Sequence, residues 1–300
     1  MVRKMTRAII TAIMLSTILN GCSQATVSSQ PLESVKEVKK SKNTEDIAKE
    51  FLPKGMEFSA PMYPKRAKSI IKKDIDGDGN KEILFTFKSK EDKYIGGIIV
   101  LKEKNHQWKK ILQSYGEGKS IYRIDLKDLD GDKNDELLVS TFAGVSVGNA
   151  LNIYKYDNNT DNFKLVVKDG YHKIYMNDMP NDKGRADGRV ELALWKKITG
   201  DVYKVDVLKF DGKKLVPAKE VYSYYYNKVI DYYKSKLRKD DYKNSALMWY
   251  YLADAQVKAK KPEDALSSIE KIKILNPQGY STLSDKFDKL QKDAMSYFKN

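Results

Sequence analysis

The chain has a single cysteine, Cys22, in 300 residues. That excludes disulfides within the chain, CxxC redox chemistry and thiolate metal clusters. It has two histidines, His106 and His172. Neither stands beside a serine nucleophile motif, and no HExxH or glycine-rich phosphate loop is present. His106 falls at a hairpin tip and His172 at a strand start, so both read as surface residues. The apolar run from Ala8 to Leu19 is too short to span a bilayer as a stable helix. Acids are the minority charge: 41 Asp and Glu stand against 55 Lys and Arg, for a net +14. These shortages leave few routes to catalysis, and the chain reads as a binder rather than an enzyme.

What is present begins with a leader. Arg3, Lys4 and Arg7 make a positive start, the apolar run follows, and Leu19-Asn20-Gly21-Cys22 ends it. Residues 1–21 therefore read as a secretory signal. The end resembles a bacterial lipobox, with an apolar residue at −3, a small one at −1, then cysteine. The resemblance implies cleavage before Cys22 and a diacylglyceryl thioether on it. Two acyl chains anchor stably where one would not. The implied location is the extracytoplasmic face of a bacterial cell membrane. Residues 22–43 are rich in Ser, Gln and Lys and read as a disordered tether. Loss of 1–21 removes three positive charges and no acid, taking +14 to +11. A basic surface outside a cell meets anionic lipid headgroups and wall polymers, and no nucleic acid is expected. A merely solvated lysine surface is the simpler alternative.

Two acidic stretches stand out against that basic background. Asp74 to Ile83 reads DIDGDGNKEI, and Asp128 to Leu137 reads DLDGDKNDEL, 54 residues later. The flanks repeat as well: Ile70 with Ile124, Ile75 with Leu129, Ile83 with Leu137, Phe85 with Val139. Such a period marks stacked supersecondary units. A third unit falls at KGRADGRVELAL, with Glu191 over Glu136 and Asp187-Gly188 over Asp78-Gly79. That alignment puts Lys183 and Arg185 at the first two acid positions. It predicts the same backbone without a metal, with a guanidinium near Asp187 and Glu191 as the positive charge.

Each unit holds four runs of strand character split by turn residues. They lie near 66–73, 82–88, 95–104 and 107–115, then 119–127, 136–143, 149–156 and 162–168, then 171–179, 189–197, 201–209 and 213–219. Four antiparallel strands per period suggest a propeller blade or a close relative. Three blades are too few for the usual ring. An open arrangement is expected, its edges covered by the terminal segments.

Within the first loop the acids occupy positions 1, 3, 5 and 9: Asp74, Asp76, Asp78 and Glu82. Asn80 can turn its carbonyl inward, and Gly77 and Gly79 permit tight turns. Hard oxygens at this pitch suit Ca²⁺. An EF-hand is excluded, because its twelfth position must be a bidentate Glu and here is Phe85 or Val139. The form D-x-D-G-D-G-x-x-E resembles the calcium loop of FG-GAP (integrin-alpha-like) and VCBS repeats, over roughly residues 55–219. The FG and GAP sequences themselves are absent in clear form. The resemblance implies Asp74, Asp76, Asp78, Asn80 and Glu82 as ligands of one calcium, and Asp128, Asp130, Asp132, Asn134 and Glu136 of another. Lys133 replaces a glycine in the second loop, so weaker affinity is expected there. Two Asp-rich turns without an ion are the simpler alternative.

Beyond Pro217 the pattern turns helical. VYSYYYNKVIDYYKSKLRKDD carries Tyr222, Tyr225, Tyr226, Tyr232 and Tyr233. Tyrosines at this spacing serve a core more often than a binding platform. Over residues 246–279 the chain resembles a tetratricopeptide repeat, through Trp249, Leu252, Ala253, Ala265, Ile269 and Pro277. It departs at Gln256, where an aromatic is usual. A last helix is expected near 281–298. One repeat cannot stand alone, so neighbouring helices or the β part must complete it.

The sequence thus predicts a mainly β part at 44–219, of three propeller-blade-like four-stranded repeats, and an α-helical, tetratricopeptide-like part at 220–300. The expected function is a surface-anchored, calcium-binding lipoprotein that acts as a protein-interaction or scaffold module through its helical end. A carbohydrate or anionic wall-polymer binder is the first alternative. A polysaccharide lyase or hydrolase is the second.

Overall fold

The computed structural model describes residues 42–92, 94–116 and 120–299. The signal, Cys22 and nearly all of the tether lie outside the described residues. The first element is a helix the sequence reading did not anticipate, α1 (Thr44–Phe51). Asn43 caps it, its side chain accepting the Asp46 N–H at 2.9 Å. A short strand, β1 (Met56–Phe58), follows.

Three antiparallel sheets come next. The first contains β2 (Ile70–Lys73), β3 (Glu82–Ser89), β4 (Gly96–Lys104) and β5 (Gln107–Tyr115), with β1 paired to the far half of β3. The second is β6 (Ile121–Lys127), β7 (Glu136–Gly144), β8 (Gly148–Asp157) and β9 (Asn162–Tyr171). The third is β10 (Lys173–Asn177), β11 (Glu191–Thr199), β12 (Val202–Phe210) and β13 (Leu215–Pro217). Strands β2–β5, β6–β9 and β10–β13 each run as a meander, β1 is added to β3 in the first sheet, and the sheets do not close into a barrel.

The inner strands bury both faces, and period-2 alternation decides which neighbour each side chain meets. Leu84, Ile98 and Val100 of the first sheet pack with Leu137, Val139 and Tyr154 of the second. The alternate residues of the second sheet, Leu138, Leu151 and Ile153, pack with Leu192, Leu194 and Phe210 of the third. The sheets therefore stack face to face, with two outer faces left over. Ile83, Phe85, Phe87, Ile99 and Leu101 make one of them, and Ala48 of α1 is buried against it with Ile47, Phe51 and Leu52. Trp195, Val205 and Val207 belong to the other. The terminal segments thus cover sheet faces, where the sequence reading expected them to cover edges. The apolar area at stake is greater on a face.

The second outer face is covered by α2 (Tyr222–Leu237). Tyr225, Tyr226 and Tyr233 are buried in this seam. Their hydroxyls meet sheet partners: Tyr226 donates to the Val205 carbonyl at 2.8 Å and Tyr233 to that of Tyr203. Tyr225 accepts the Trp195 indole N–H at 3.0 Å. A buried phenol needs such a partner, and these residues have one. Most of the tyrosine face is core, as the spacing suggested.

Four helices complete the chain: α3 (Ala246–Lys258), α4 (Pro262–Leu275), α5 (Pro277–Thr282) and α6 (Ser284–Ser296). Ser245 caps α3, and Pro262 opens α4 where its missing N–H costs nothing. Leu252, Ala253, Ala265 and Ile269 are buried between them, and Phe287 of α6 closes the far side. One continuous core joins the third sheet to these helices. Among the described residues, no helix is long and apolar enough to cross a membrane.

Candidate metal centre

In each sheet the link from first to second strand is the acidic loop. The shared meander therefore brings all three loops to one end of the stack. The first two are superimposable in their bonding. Asp74 accepts the N–H groups of Gly77 (2.8 Å) and Gly79 (3.0 Å). Asp128 accepts those of Gly131 (2.7 Å) and Lys133 (2.9 Å). Glu82 reaches back to the Ile75 N–H, and Glu136 to that of Leu129, both at 2.9 Å. Asp78 and Asp132 accept from Asn80 and Asn134. The apolar residue at position 2 is what anchors the turn, for Ile75 and Leu129 are fully buried.

Oxygens of Asp74, Asp76 and Asp78 lie within 4.8 Å of one another, and so do those of Asp128, Asp130 and Glu136. Glu82 and Asp132 stand outside these two triads, though in the same loops. Asn80 is exposed, while the Asn134 carboxamide packs against Gly77 of the first loop. Gly77 sits at φ +76°, and a Cβ there would lie 2.0 Å from Asn134 Oδ1. The glycine thus serves both the turn and the contact between loops. Lys73 also pairs with Asp135 across the same junction. Arg189 of the third loop lies along Gly131 of the second. The three loops form a continuous row.

Each of the first two loops already holds a positive group that the sequence reading missed. The Lys155 ammonium sits 2.7 Å from Asp130, 2.8 Å from Asp132 and 2.8 Å from Glu136. Lys102 pairs with Asp76, lies 2.9 Å from Asp78, and meets the Tyr156 hydroxyl at 3.1 Å. Burial works against both ammonium groups, but hydrogen bonds to these acids outweigh it and hold both lysines well above their ordinary range. Asp78 is lowered by its bond to Lys102. Burial raises Glu82 to about 7 and also lifts Glu136. Asp161, from the turn after β8, gathers Lys104 (3.0 Å), Lys109 (2.5 Å) and the Tyr156 hydroxyl (2.5 Å) beside the first loop.

A signal for these lysines existed. The ladders pair Ile83 with Leu101, Leu137 with Tyr154 and Leu192 with Leu208. One step further, each glutamate faces a lysine: Glu82 and Lys102, Glu136 and Lys155, Glu191 and Lys209. The third lysine behaves differently. Lys209 bonds Glu220 at 2.5 Å instead.

The reason lies in the third loop, which does not align as the sequence predicted. Asp178, not Lys183, takes position 1: its carboxylate accepts the N–H groups of Asp187 (3.2 Å) and Gly188 (3.0 Å). Met179 takes the buried position 2 and donates to Glu191 at 2.8 Å. The loop is five residues longer than the others, and Pro180 follows where Asp76 and Asp130 stand in theirs. With that carboxylate missing, Lys209 has no second acid to join. Among the described residues, neither Lys183 nor Arg185 forms an ion pair with Asp187 or Glu191, so the guanidinium compensation does not occur. Glu191 stays buried and uncompensated, and burial raises it to about 7.

That predicts a pH effect. A carboxyl raised from 4.5 to about 7 by folding contributes stability below its unfolded value and loses it as pH rises through 7. Glu191→Gln keeps an acceptor for Met179 and removes the charge. We expect the variant to be more stable than the parent at pH 8, by up to about 3 kcal/mol, and nearly equal at pH 4. Equal melting curves at both pH values would contradict this.

A hard cation can be tested against the loops directly. Two buried carboxylate oxygens have no partner, Glu82 Oε1 in the first loop and Asp130 Oδ1 in the second. Such orphans cost about 1–3 kcal/mol unless something meets them. The donors are oxygens alone, which suits calcium. The residues fit such an ion provided the lysine ammonium gives way.

The histidines offer no catalytic pair. His106 is exposed at its tip. His172 is half-buried, accepting the Lys197 N–H at Nδ1 (3.1 Å) with Nε2 3.1 Å from the Ser146 carbonyl. Both of its nitrogens are engaged, so it ties two hairpins together. Searches against protein-family models and against curated proteins find no match to this chain.

Proposed function

We propose that this is a surface-anchored, calcium-binding lipoprotein whose helical end engages a partner protein. The observation that carries the calcium reading is the pair of orphaned carboxylate oxygens, one in each of two matching loops. In this reading Asp74, Asp76, Asp78, Asn80 and Glu82 hold one ion, and Asp128, Asp130, Asp132, Asn134 and Glu136 the other. Calcium, when bound, supplies the charge that neutralises the loop. The second site is the weaker, since Lys155 engages three of its acids and Lys102 only two of the first loop's. The stacked sheets are then FG-GAP/VCBS-like blades in an open array, and α3–α4 a tetratricopeptide-like hairpin.

The anchor is tested at Cys22. Cys22→Ala is expected to leave an uncleaved precursor or a form released from the membrane. A processed species that still partitions wholly into detergent would sink the assignment. The partner reading is tested by crosslinking in cells and identifying what is joined to the helical end; capture confined to the sheets would refute it.

A second reading has one observation in its favour. A cavity of about 400 Å³ between the third sheet and α2 is lined by Tyr175, Trp195, Tyr224, Tyr225, Tyr232 and Lys228, with no acid. Aromatic faces beside a lysine suit an anionic sugar. A glycan array, run with and without chelator, separates this reading from the first.

A further inference from the structure

The acidic loops share one end of the stack because each links the first strand of its meander to the second. The links from second to third strand therefore gather at the opposite end. They are the hairpins β3–β4, β7–β8 and β11–β12. Each carries exposed apolar side chains: Tyr94 and Ile95, Val145 and Val147, and Ile198. Met62, from the loop between β1 and β2, joins them. Val145, Val147 and Met62 are 81%, 69% and 62% exposed. One such residue needs no explanation, but a set gathered from three sheets marks an interaction surface.

Short contacts join the tips into a row. Gly96, next to Ile95, lies against Ser120: a Cβ on it would be 3.4 Å from the Ser120 Cα. The Ser120 hydroxyl is 4.0 Å from the Met62 sulfur, and its carbonyl accepts the Phe142 N–H at 3.4 Å. Across the β7–β8 hairpin, the Ser146 carbonyl is 3.1 Å from His172 Nε2, and the Lys197 N–H donates to His172 Nδ1. The row thus crosses all three sheets, from Ile95 to Ile198. Exposed cations accompany it: Lys65, Arg66, Lys90 and Lys197. Among the described residues of these loops, the exposed acids are Glu91 and Asp92.

An occupant must offer apolar depth at separate points and negative charge between them. A second copy would set these cations against their own kind, since a two-fold contact is self-complementary. A rigid partner would have to match raised tips from three sheets. A bilayer surface needs no such match. Its headgroup layer yields to each tip, takes tyrosine at headgroup level and offers anionic lipid to the cations. Chain length allows this placement. About 20 residues separate Cys22 from Lys42. Fully extended they span roughly 70 Å, about twice the length of a ten-residue strand such as β8. A tether of that length permits either end of the stack to face the bilayer, and the tips decide which.

We propose that the hairpin end of the stack docks onto a membrane surface rich in anionic lipid, with Ile95, Val145, Val147, Ile198 and Met62 entering the interface. The proposal rests on the reading of the chain as membrane-anchored and adds which end meets the membrane. The acidic loops then point away from the bilayer, into the medium that supplies their cation.

The test uses the full chain, purified in detergent and reconstituted into vesicles of phosphatidylglycerol and phosphatidylcholine. A photo-crosslinker, benzoylphenylalanine, replaces Val147, Ile198 or, as a control at the acidic end, the exposed Asn158. Lipid crosslinking at positions 147 and 198 should exceed that at 158 at least tenfold. Val145→Asp combined with Val147→Asp should lower the yield at 198 at least fivefold. Each cation near an anionic surface contributes roughly fivefold to affinity, so Lys65→Glu combined with Lys90→Glu should lower the yield at 147 at least as much. All four replaced side chains stand in solvent, and melting curves of the variants check that each is folded. Equal yields at 147 and 158, yields indifferent to both double variants, or a crosslink from 147 to a second copy in place of lipid would each overturn the proposal. The intact mass of the same sample reads the anchor separately. A diacylglyceryl group on Cys22 without lipid crosslinks at 147 refutes the docking and leaves the anchor standing. Crosslinks at 147 with Cys22 unmodified refute the anchor and leave the docking. Neither signal refutes both.

Discussion

Lys155→Met is expected to lower the melting temperature of calcium-free protein by roughly 6–12 °C, which corresponds to about 3 kcal/mol for a chain of this size. The ammonium is the only cation that reaches Asp130, Asp132 and Glu136 among the described residues. Glu136 is 1% exposed, so its charge has little water to fall back on. Removing one partner of a buried group of charges leaves the others unpaired, and that costs more than the group contributes as a whole. Methionine keeps most of the packing length, so the effect reads charge rather than volume. The variant also carries a sharper consequence. With no tethered cation to displace, its second loop should bind calcium more tightly than the parent's, and saturating calcium should restore most of the lost stability. A variant that melts with the parent in EGTA would mean that the lysine contributes nothing. One that is destabilised yet deaf to calcium would mean that the loop holds only its lysine.

Trp195→Ala is expected to cost about 3–5 kcal/mol, and to do so in one transition. Trp195 is 5% exposed in the seam between third sheet and helices. It touches Tyr175, Tyr203 and Tyr232 edge-on or tilted at centroid distances of 6.2, 5.9 and 5.1 Å. Its indole N–H also anchors Tyr225. The cavity left by alanine opens in the middle of a core shared by strands and helices. Helical ellipticity and near-ultraviolet aromatic signals should therefore fall together, in parent and variant alike. Helices that outlast the sheets by several degrees would show two independent folding units. The seam would then be a contact rather than a core. The shared core also means that chelator should affect the helices as well as the strands.

The two predictions sit at opposite extremes of what the sequence discloses. The strands were legible because runs of strand character are split by turn residues that bound them closely, as in β3 and β5. The first two loops were legible because a dense, evenly spaced row of acids is seldom accidental. The lysines were not, because Lys102 and Lys155 lie far along the chain among many other lysines. Only the pairing of β3 with β4, and of β7 with β8, brings them to the acids. The third loop misled because position 9 was fixed on Glu191 and the count ran back with no insertion. Asp178 lies five residues beyond where that count ends, and only its two backbone bonds reveal its place. Helix α1 was missed because its eight residues adjoin a polar tether, and Ala48 is its one buried residue.

The central claim is that the row of acidic loops is a set of cation sites that hold the stacked sheets. The most direct test is a thermal melt of the full chain in calcium and in EGTA at pH 7. A ligand that binds the folded loop and not the unfolded one adds about 2.7 kcal/mol at a hundredfold excess over its dissociation constant. For one such site the melting temperature should rise by roughly 5–10 °C in calcium, and Asp76→Ala should remove most of the first loop's share. Superimposable curves in calcium and EGTA would contradict the claim and leave Lys102 and Lys155 as the only cations these loops were built to hold.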